Sequence, residues 1–483
     1  MTDHGILAFG AYIPKRRLQR AAIHAFNGWF AGGLRGLAKG EKAVVNWDED
    51  AITMGVEAAR DCLTGIDRNR VERVTLASTT LPFADRLNSG IVKEALTLAD
   101  ATAANDAAGS LRAGTSALMQ ALDGQVTQLV IASDNRKAKP ASEAEMSFGD
   151  AAGAVLVGQG DVIARYLGGH SLTIDFVDHF RSSGVDFDYA WESRWIRDEG
   201  YAAILGKALK DGLTNLGIEG GAIDHAVIAV PVKGVPEQLA KKAGIRPDVC
   251  ADPLMAVIGD SGTAHPILML AACLEQAKPG EKILLASFGQ GADVLVFEAT
   301  DALAKLPSRW GVAGHLAFRQ DDRNYGRYLF HRHLLPLEKG IRAEMDQKQP
   351  GTTLFRQRKA VLGLVGGRCT KTGTVQFPKT EISVNPNDRA QGAQEDYPLA
   401  ERRASVIAFT ADNLTFSPDP PSFYGTIDFE GGGRLVTEFA DVMAEEIEVG
   451  VEMRMVFRIK AIDDLRGFIK YFWKAVPVSK GDA

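Results

Sequence analysis

The chain of 483 residues carries one layout twice, and this duplication constrains its fold more than any other feature. Residues Ile66–Pro82 open with an acidic, turn-rich stretch and continue into an apolar strand at Val74–Ser78. Residues Ile218–Gly234 repeat the layout, with a strand at Ala226–Val230. Further matching elements follow in the same order in both halves, which indicates an internal duplication.

In each half a helix leads into an apolar strand. The helix Ala113–Gly124 precedes the strand Leu129–Ser133, and the segment His265–Gly280 precedes Ile283–Ser287, which is followed by Ala292–Phe297. Strands that are apolar almost throughout are covered on both faces. The pattern therefore predicts an α/β fold, with two units of mostly parallel central strands in one layered body that ends near residue 305.

The pattern of residue types changes after the layered body, near residue 305. Residues Asp321–Gly340 are charged and aromatic with helical spacing, which predicts a surface helix or helix pair. From Ala360 onward, short alternating runs are separated by turn residues. These runs predict an antiparallel β unit, for which a small barrel is the natural closure.

Composition and charge exclude several classes of protein. The net charge of −6 and the pI of about 5.9 provide no general attraction to phosphate backbones, so nucleic acid is not an expected partner. Four cysteines without a C-x-x-C pair indicate neither a disulfide framework nor a cysteine zinc site. The amino terminus does not resemble a signal peptide, and no apolar stretch suits a membrane span, so we expect a cytoplasmic protein.

Several segments together carry a family resemblance. The landmarks are Asn46–Leu63, the AGTSAL run that begins at Ala113, the segment Asp175–Tyr201 and Ala277–Ala292. They resemble the hydroxymethylglutaryl-CoA synthase branch of the thiolase superfamily. From about residue 320, the chain resembles the acyl-CoA-associated DUF35-type family, in which a helical hairpin and a rubredoxin-like ribbon precede an OB-fold.

The resemblance implies a duplicated thiolase-like αβαβα body, then a small zinc-less ribbon and an antiparallel OB-type barrel. The predicted divisions are 1–165 and 166–305 for the two thiolase-like halves, 306–360 for a linker and helical hairpin, 361–392 for the ribbon, and 393–483 for the OB-fold.

The resemblance also identifies three replaced positions. The branch has a cysteine nucleophile where this chain has Leu111, a glutamate where it has Thr79, and a histidine where it has Ala229. Leucine and alanine neither form a thioester nor transfer protons, so the covalent mechanism of the branch is excluded at this register. We expect the three residues to line the substrate pocket instead.

The ribbon shows a similar replacement. Such modules supply two C-x-x-C knuckles to a zinc ion, whereas this chain has Cys369 and Thr372 in the first and Ser383 and Pro386 in the second. One thiolate of four is too few for structural zinc, so we expect no metal.

Four residues are catalytic candidates near the expected pocket. Ser110, at the entry to a helix, is a nucleophile or a helix cap. Asp260 and His265 form an acid/base pair or, alternatively, a capping aspartate and a surface histidine. Asp85 is an active-site charge or the partner of Arg86 in a local ion pair.

The aromatic segment Asp178–Tyr201 covers the acyl pocket in the resembling branch. This position makes His179 a further catalytic candidate, and makes Arg181 and Tyr189 candidates for contacting the acyl substrate. The alternative is a loop at a subunit interface with aromatic anchors.

Coenzyme A is implied by the resemblance as a substrate. Lys233 follows a strand end and suits a CoA phosphate. Ser287, Gly289 and Gly291 form a segment in which the glycines permit close approach of the backbone to a pantetheine arm.

The leading functional hypothesis is CoA-dependent retro-Claisen cleavage of a β-keto acid or β-ketoacyl compound, because attack by CoA itself needs no enzyme thiol. The alternatives are a retro-aldol lyase on a β-hydroxyacyl-CoA, a hydroxymethylglutaryl-CoA synthase-like condensing enzyme, and a non-catalytic acyl-CoA-binding scaffold. We expect a homodimer, with the C-terminal domain docked on its own thiolase-like body.

Overall fold

The computed structural model describes residues 4–346, 348 and 350–479, and it divides into two compact units. The first unit comprises residues up to Asn46, Asp50–Gly90 and Ala99–Tyr328. The second comprises Trp47–Glu49, Ile91–Leu98 and the chain from Leu329 onward. The predictions about a leader segment and about the end of the barrel extend to residues outside the described ones.

Strands occur in both units. The strands are β1 (His4–Tyr12), β2 (Arg16–Gln19), β3 (Glu41–Ala43), β4 (Arg73–Ala77), β5 (Ala103–Ala107), β6 (Gln128–Asp134), β7 (Ala151–Gln159), β8 (Ala164–Thr173), β9 (His179–Phe180), β10 (Tyr189–Ala190), β11 (His225–Ala229), β12 (Lys282–Phe288), β13 (Gly291–Ala299), β14 (Gln320–Asp322), β15 (Val365–Cys369), β16 (Val375–Gln376), β17 (Gln394–Pro398), β18 (Ala404–Asp412), β19 (Ser422–Phe429), β20 (Arg434–Glu438), β21 (Glu452–Asp463) and β22 (Phe468–Pro477).

The α-helices are mostly short. They are α1 (Arg20–Asn27), α2 (Ala51–Cys62), α3 (Asn88–Ala95), α4 (Ala113–Asp123), α5 (Glu143–Ser147), α6 (Ser193–Trp195), α7 (Gly206–Leu216), α8 (Val235–Lys242), α9 (His265–Leu274), α10 (Gly311–Ala317), α11 (Tyr325–His331), α12 (Gly351–Arg356) and α13 (Arg358–Gly363). A π-helix over Ile196–Leu205 joins α6 to α7.

The first unit is built on a nine-stranded mixed sheet in the order β11-β12-β13-β8-β1-β7-β6-β4-β5. In the first half, β4 runs parallel to β6, and β6 runs antiparallel to β7. In the second half, β11 runs parallel to β12, and β12 runs antiparallel to β13. This repeated arrangement confirms the predicted α/β class and its duplicated halves. The prediction that the central strands are mostly parallel is wrong, because the middle strands β13, β8, β1 and β7 pair antiparallel.

Two central helices lie in the core of the first unit. Helix α9 is apolar on every side, and such a helix is stable only when it is buried all round. Helix α4 contains small residues that permit close packing: a Cβ atom on Gly114 would lie 2.8 Å from the carbonyl oxygen of Thr263. These two helices place their amino-terminal ends near the ends of the parallel strands.

The second unit contains two antiparallel sheets. The smaller sheet has the order β16-β15-β17, and the larger has the order β20-β19-β18-β21-β22. Trp473 of β22 is fully buried, and its indole nitrogen donates a hydrogen bond of 2.7 Å to the carbonyl of Leu362. The larger sheet confirms the predicted antiparallel OB-type β unit.

A buried ion cluster joins Trp47–Glu49 to the strands of this second unit. Lys474 lies 2.9 Å from Asp48, and Arg458 lies 2.7 Å from Glu49. The backbone also takes part, because the amide of Ile459 donates to the carbonyl of Asp48 at 2.8 Å. The second unit is therefore discontinuous in sequence.

The predicted ribbon knuckles do converge in the second unit. Cys369 is buried, and hydrogen bonds from the side chains of Thr372 and Ser383 lower the pKa of its thiol. One thiol and two hydroxyl groups are not a donor set for structural zinc, so these residues do not fit that ion. Among the described residues, no helix is long and apolar enough to cross a membrane.

Candidate active site

Asp134 organises the loops at the carboxyl ends of β4 and β6. It is fully buried and accepts hydrogen bonds from the hydroxyl of Ser78 at 2.9 Å and from the amide of Thr79 at 2.8 Å. The hydroxyl of Thr80 and the amide of Thr263 add bonds of 3.0 Å and 2.8 Å. One carboxylate therefore ties the loop after β4 to the loop before α9.

The predicted pocket residues Thr79 and Arg181 lie in contact. The Arg181 guanidinium donates to the carbonyl of Thr79, and it also lies 3.5 Å from a carboxylate oxygen of Asp188. The segment that contains β9 and β10 therefore lies against the position where the family has its glutamate.

Arg136 neutralises the aspartates that face the same region. It is buried, lies 2.7 Å from a carboxylate oxygen of Asp260 and 3.8 Å from one of Asp188, and stacks 3.8 Å from the ring centroid of Phe148. A guanidinium that is fully enclosed needs such anionic partners to offset its desolvation.

Asp260 and His265 lie close together, and the pKa of each is lowered. Burial alone would raise the pKa of Asp260, but the charges of Arg136 and His265 outweigh it and lower the pKa to about 2. Burial lowers the pKa of His265, and the charge of Asp260 opposes this effect. At neutral pH the pair is therefore a carboxylate beside a neutral imidazole.

The imidazole of His265 is held by its own loop. Nδ1 lies 3.2 Å from the hydroxyl and 3.4 Å from the amide of Ser261. Only 4% of His265 is exposed, which places it inside the protein and not on the surface. The contact with an amide donor indicates that Nδ1 is the unprotonated nitrogen.

The entry to α4 faces the turn between β12 and β13. Ser110 donates a hydrogen bond of 2.8 Å to the carbonyl of Gly289, and its oxygen accepts one of 3.3 Å from the amide of Arg112. A Cβ atom on Gly289 would lie 2.6 Å from the hydroxyl oxygen of Ser110, 2.8 Å from the backbone nitrogen of Arg112 and 3.3 Å from that of Leu111. The structure thus brings Ser110, Leu111 and Gly289 together, and only glycine fits at this contact.

Ala229 neighbours a chain of buried hydroxyl groups. It pairs with Ser287 across the parallel strands β11 and β12. The hydroxyls of Ser287 and Thr115 lie 2.6 Å apart, and Thr115 donates to Asp293 at 3.0 Å. The position where the resemblance places a histidine therefore lies one strand away from Ser287, which contacts Thr115 of α4.

The roles of the remaining predicted residues stay predictions. Tyr189 is 60% exposed, with its ring centroid 5.5 Å from that of Phe180. His179 contacts Asp178 at 3.1 Å. Asp85 and Lys233 are exposed in loops after β4 and β11, and Gly291 is the first residue of β13.

Four polar residues of this region are missing from the sequence-based prediction: Asp134, Arg136, Arg112 and Asp293. A signal was present for Asp134, because it ends a buried parallel strand at the edge where ligands bind in α/β folds. Arg112 follows Leu111 directly, although nothing in its local sequence indicates its distant partner.

The repeated halves, the two buried central helices and the strand ends that meet them define a thiolase-type body followed by an OB-fold. Residues 397–458 match the family model described as "ChsH2, C-terminal OB-fold domain". The chain is similar to the hydroxymethylglutaryl-CoA synthase of Methanosarcina barkeri, with 30% identity over 342 residues that cover 68% of this chain and 97% of that protein. It is also 30% identical over 302 residues to the hydroxymethylglutaryl-CoA synthase of Pyrococcus furiosus, covering 60% and 85% of the two chains.

The chain belongs to the hydroxymethylglutaryl-CoA synthase family. Solved structures agree on the fold: MvaS in complex with 3-hydroxy-3-methylglutaryl coenzyme A has a TM-score of 0.59 at 19% identity and covers 70% of this chain and 93% of its own. The 3-oxoacyl-(acyl carrier protein) synthase III of Pseudomonas aeruginosa has a TM-score of 0.54 at 19% identity, with coverage of 62% and 98%.

The comparisons confirm the resemblance to this branch and to an OB-fold partner family. They favour the condensing-enzyme alternative over the retro-Claisen cleavage that ranked first from the sequence. The assignment of Leu111, Thr79 and Ala229 to the catalytic positions of the family stays a prediction.

Proposed function

We propose that this protein is a CoA-dependent condensing enzyme of the hydroxymethylglutaryl-CoA synthase type that forms its C–C bond without an acyl-enzyme. Family membership supports the reaction class and the use of an acyl-CoA substrate. The observation that carries the mechanistic part is Leu111, which stands at the entry to α4 where the branch has its cysteine. A leucine side chain cannot accept an acyl group.

The proposed reaction uses the acyl-CoA itself as the carbon nucleophile. A base removes the proton from the carbon next to the thioester, and the resulting enolate attacks the ketone carbonyl of a second substrate. A C–C bond forms, and the new alkoxide takes up a proton to give a β-hydroxyacyl-CoA. No bond to the enzyme forms or breaks.

Two backbone segments suit the thioester oxygen in this reaction. The amide of Leu111 stands at the amino-terminal end of α4, where the helix dipole favours negative charge. The glycine turn after β12 approaches the same amide closely. An oxyanion held by such preorganised donors is stabilised by about 3 kcal/mol or more per donor.

His265 is the proposed base, acting through Nδ1, which must exchange its contact with Ser261 for the substrate proton. Its imidazole is neutral at neutral pH because burial lowers its pKa, whereas Asp260 is committed to its ion pair with Arg136. Asp260 stabilises the imidazolium that forms when His265 accepts the proton. We propose that Arg181, Thr79 and Ala229 shape the acyl pocket and that Lys233 and the Ser287–Gly291 segment bind CoA.

The test is incubation of the purified protein with acetyl-CoA and acetoacetyl-CoA, followed by chromatography of all CoA esters. We expect a new CoA ester that contains a C–C bond from both substrates, and we expect it from Leu111→Ala as well. A protein that binds acetyl-CoA but gives no new ester from any β-keto acceptor would instead support the scaffold alternative.

Thiolytic cleavage is the second candidate, and the same leucine favours it. In this reaction the CoA sulfur adds to the β-ketone, the C–C bond breaks, and the enolate that leaves takes up a proton. Retro-aldol cleavage of a β-hydroxyacyl-CoA is the reverse of the proposed condensation. Supplying CoA with a β-keto acid, and separately a β-hydroxyacyl-CoA, distinguishes these directions by the acyl-CoA or carbonyl compound released.

A further inference from the structure

The strongest side-chain cluster that the proposed mechanism leaves unused lies behind the entry to α4. Asp293 of β13 is fully buried and accepts hydrogen bonds of 2.7 Å from Arg112, Ser116 and Ser171. Thr115 adds a fourth donor at 3.0 Å. The carboxylate is thus fully engaged, and its charge is offset by the single guanidinium of Arg112.

Every nitrogen of the Arg112 guanidinium binds the protein. Nε donates to the carbonyl of Gly289 at 3.0 Å, Nη1 contacts Asp293, and Nη2 donates to the hydroxyl of Thr173 at 2.8 Å. Only 12% of the side chain is exposed. A guanidinium held in this way is a poor candidate for a mobile phosphate ligand and a good one for fixing a neighbouring group.

The group that Arg112 fixes is the carbonyl of Gly289. Ser110 donates to the same oxygen, so two donors from the entry of α4 hold one peptide of the turn between β12 and β13. The turn itself is conformationally restrained, with φ values of +53° at Gln290 and +120° at Gly291. The Gly289 peptide that the two donors hold lies beside the amides of Arg112 and Leu111.

We propose that Arg112, anchored by Asp293, is a positioning residue that holds the glycine turn in register with the Leu111 amide. The proposal rests on the proposed function, because it assumes that these two backbone segments receive the thioester oxygen. According to this proposal, Arg112 increases the rate of the reactive step by fixing the Gly289 peptide. Arg112 itself does not contact the substrate.

The experiment measures exchange of the α-protons of acetyl-CoA in deuterated water, together with the dissociation constant of acetyl-CoA. Arg112→Met removes both the Gly289 bond and the charge that pairs with Asp293. We expect the exchange rate constant at saturation to fall about tenfold or more, while the dissociation constant changes less than about threefold. Arg112→Lys keeps the charge and should recover part of the rate.

The matched control is Arg165→Met, since Arg165 of β8 pairs at 3.0 Å with Glu298 of β13, the strand that carries Asp293, but is 41% exposed. It should leave both quantities unchanged. An unchanged exchange rate in Arg112→Met would overturn the proposal. The proposal would also be overturned if Arg112→Met lowered the melting temperature, the affinity for acetyl-CoA and the exchange rate together.

A second measurement keeps the two proposals distinguishable. If the wild-type protein exchanges no α-protons, the proposed function fails, and amide hydrogen exchange of the peptide containing Gly289–Gly291 then tests the positioning role alone. We expect faster exchange there in Arg112→Met than in Arg165→Met. Equal protection in the two variants would overturn the inference.

Discussion

At the scale of single residues, the proposed site has a neutral histidine and a set of buried ion pairs in place of the covalent centre that the resemblance implies. Leu111 has no thiol. The backbone of Thr79 is hydrogen-bonded by Asp134 and Arg181, and Ala229, which has no polar side-chain atom, pairs with Ser287. The acid/base capacity that remains near these loops lies at Asp260 and His265.

His265→Ala should lower turnover by about 10²-fold or more while CoA still binds, because loss of a general acid/base has this scale. His225→Ala is the control, since His225 is also paired with a carboxylate, Glu281 at 2.8 Å, but lies at the surface. Steady-state kinetics with a direct binding measurement checks both. Full activity in His265→Ala would move the assignment to Asp85 or His179.

Leu111→Cys should not create an acyl-enzyme or a conventional synthase. A thiol alone lacks the base and the histidine that activate it, because Thr79 and Ala229 remain in place. Mass spectrometry of the variant after exposure to acetyl-CoA checks this. Accumulation of an acetylated variant that turns over would show that the replaced triad is not the barrier.

The pH dependence of stability should reveal His265. Its pKa is lowered by burial, so the unfolded chain binds a proton near pH 6.5 while the folded chain does not. The free energy of unfolding should therefore fall as pH decreases through about 6.5, and His265→Gln should weaken that decrease. Denaturant titrations above and below this pH give the comparison.

At the scale of elements, the hydrophobic pattern predicted the first and last residues of two strands to within about one position. The predicted strand Val74–Ser78 is observed at Arg73–Ala77, and Ala226–Val230 is observed at His225–Ala229. The helix predicted over Asp321–Gly340 forms only in part. Gln320–Asp322 is a strand that pairs in parallel with β2, and helix α11 ends at His331. Such long-range pairing overrides local periodicity.

The site was harder to predict than the strands. Ser110, Leu111 and Gly289 came together as the duplicated topology requires, since helix entry and strand end share one edge. The roles of Asp134 and Arg136 depend on partners about 50 to 130 positions away in sequence. A local sequence pattern does not predict contacts between residues so far apart in the chain.

Within the second unit, Arg458 of β21 is the residue whose loss should cost most. Arg458→Met leaves Glu49 and Asp441 buried beside a neutral side chain, which should lower the free energy of unfolding by about 3–5 kcal/mol. Arg434→Met, which breaks an exposed pair with Asp428, should lower the free energy of unfolding far less, because solvent screens such a pair. Equal effects in denaturant titration would contradict a stabilising role for the buried cluster.

At the scale of the whole molecule, the second unit takes Trp47–Glu49 and Ile91–Leu98 from the amino-terminal part of the chain. A chain ending near residue 305 would leave Asp48 and Glu49 without Lys474 and Arg458. We therefore expect this shortened protein to be insoluble or inactive. A soluble and fully active product would contradict the expectation.

We further expect a homodimer of the thiolase-like body. Strand β5 lies at one edge of the nine-stranded sheet and contains partly exposed residues, so it offers backbone groups to a second copy. Light scattering of the full-length protein measures the assembly. A monomer across the working concentration range would contradict this prediction.

Intact-protein mass spectrometry during turnover of acetyl-CoA in deuterated water tests whether the C–C chemistry runs without an acyl-enzyme. We predict deuterium in the methyl group of recovered acetyl-CoA, with no acetylated protein at any time point. An acetylated protein that forms and decays at the rate of turnover would contradict the proposed mechanism and return Ser110 as the nucleophile.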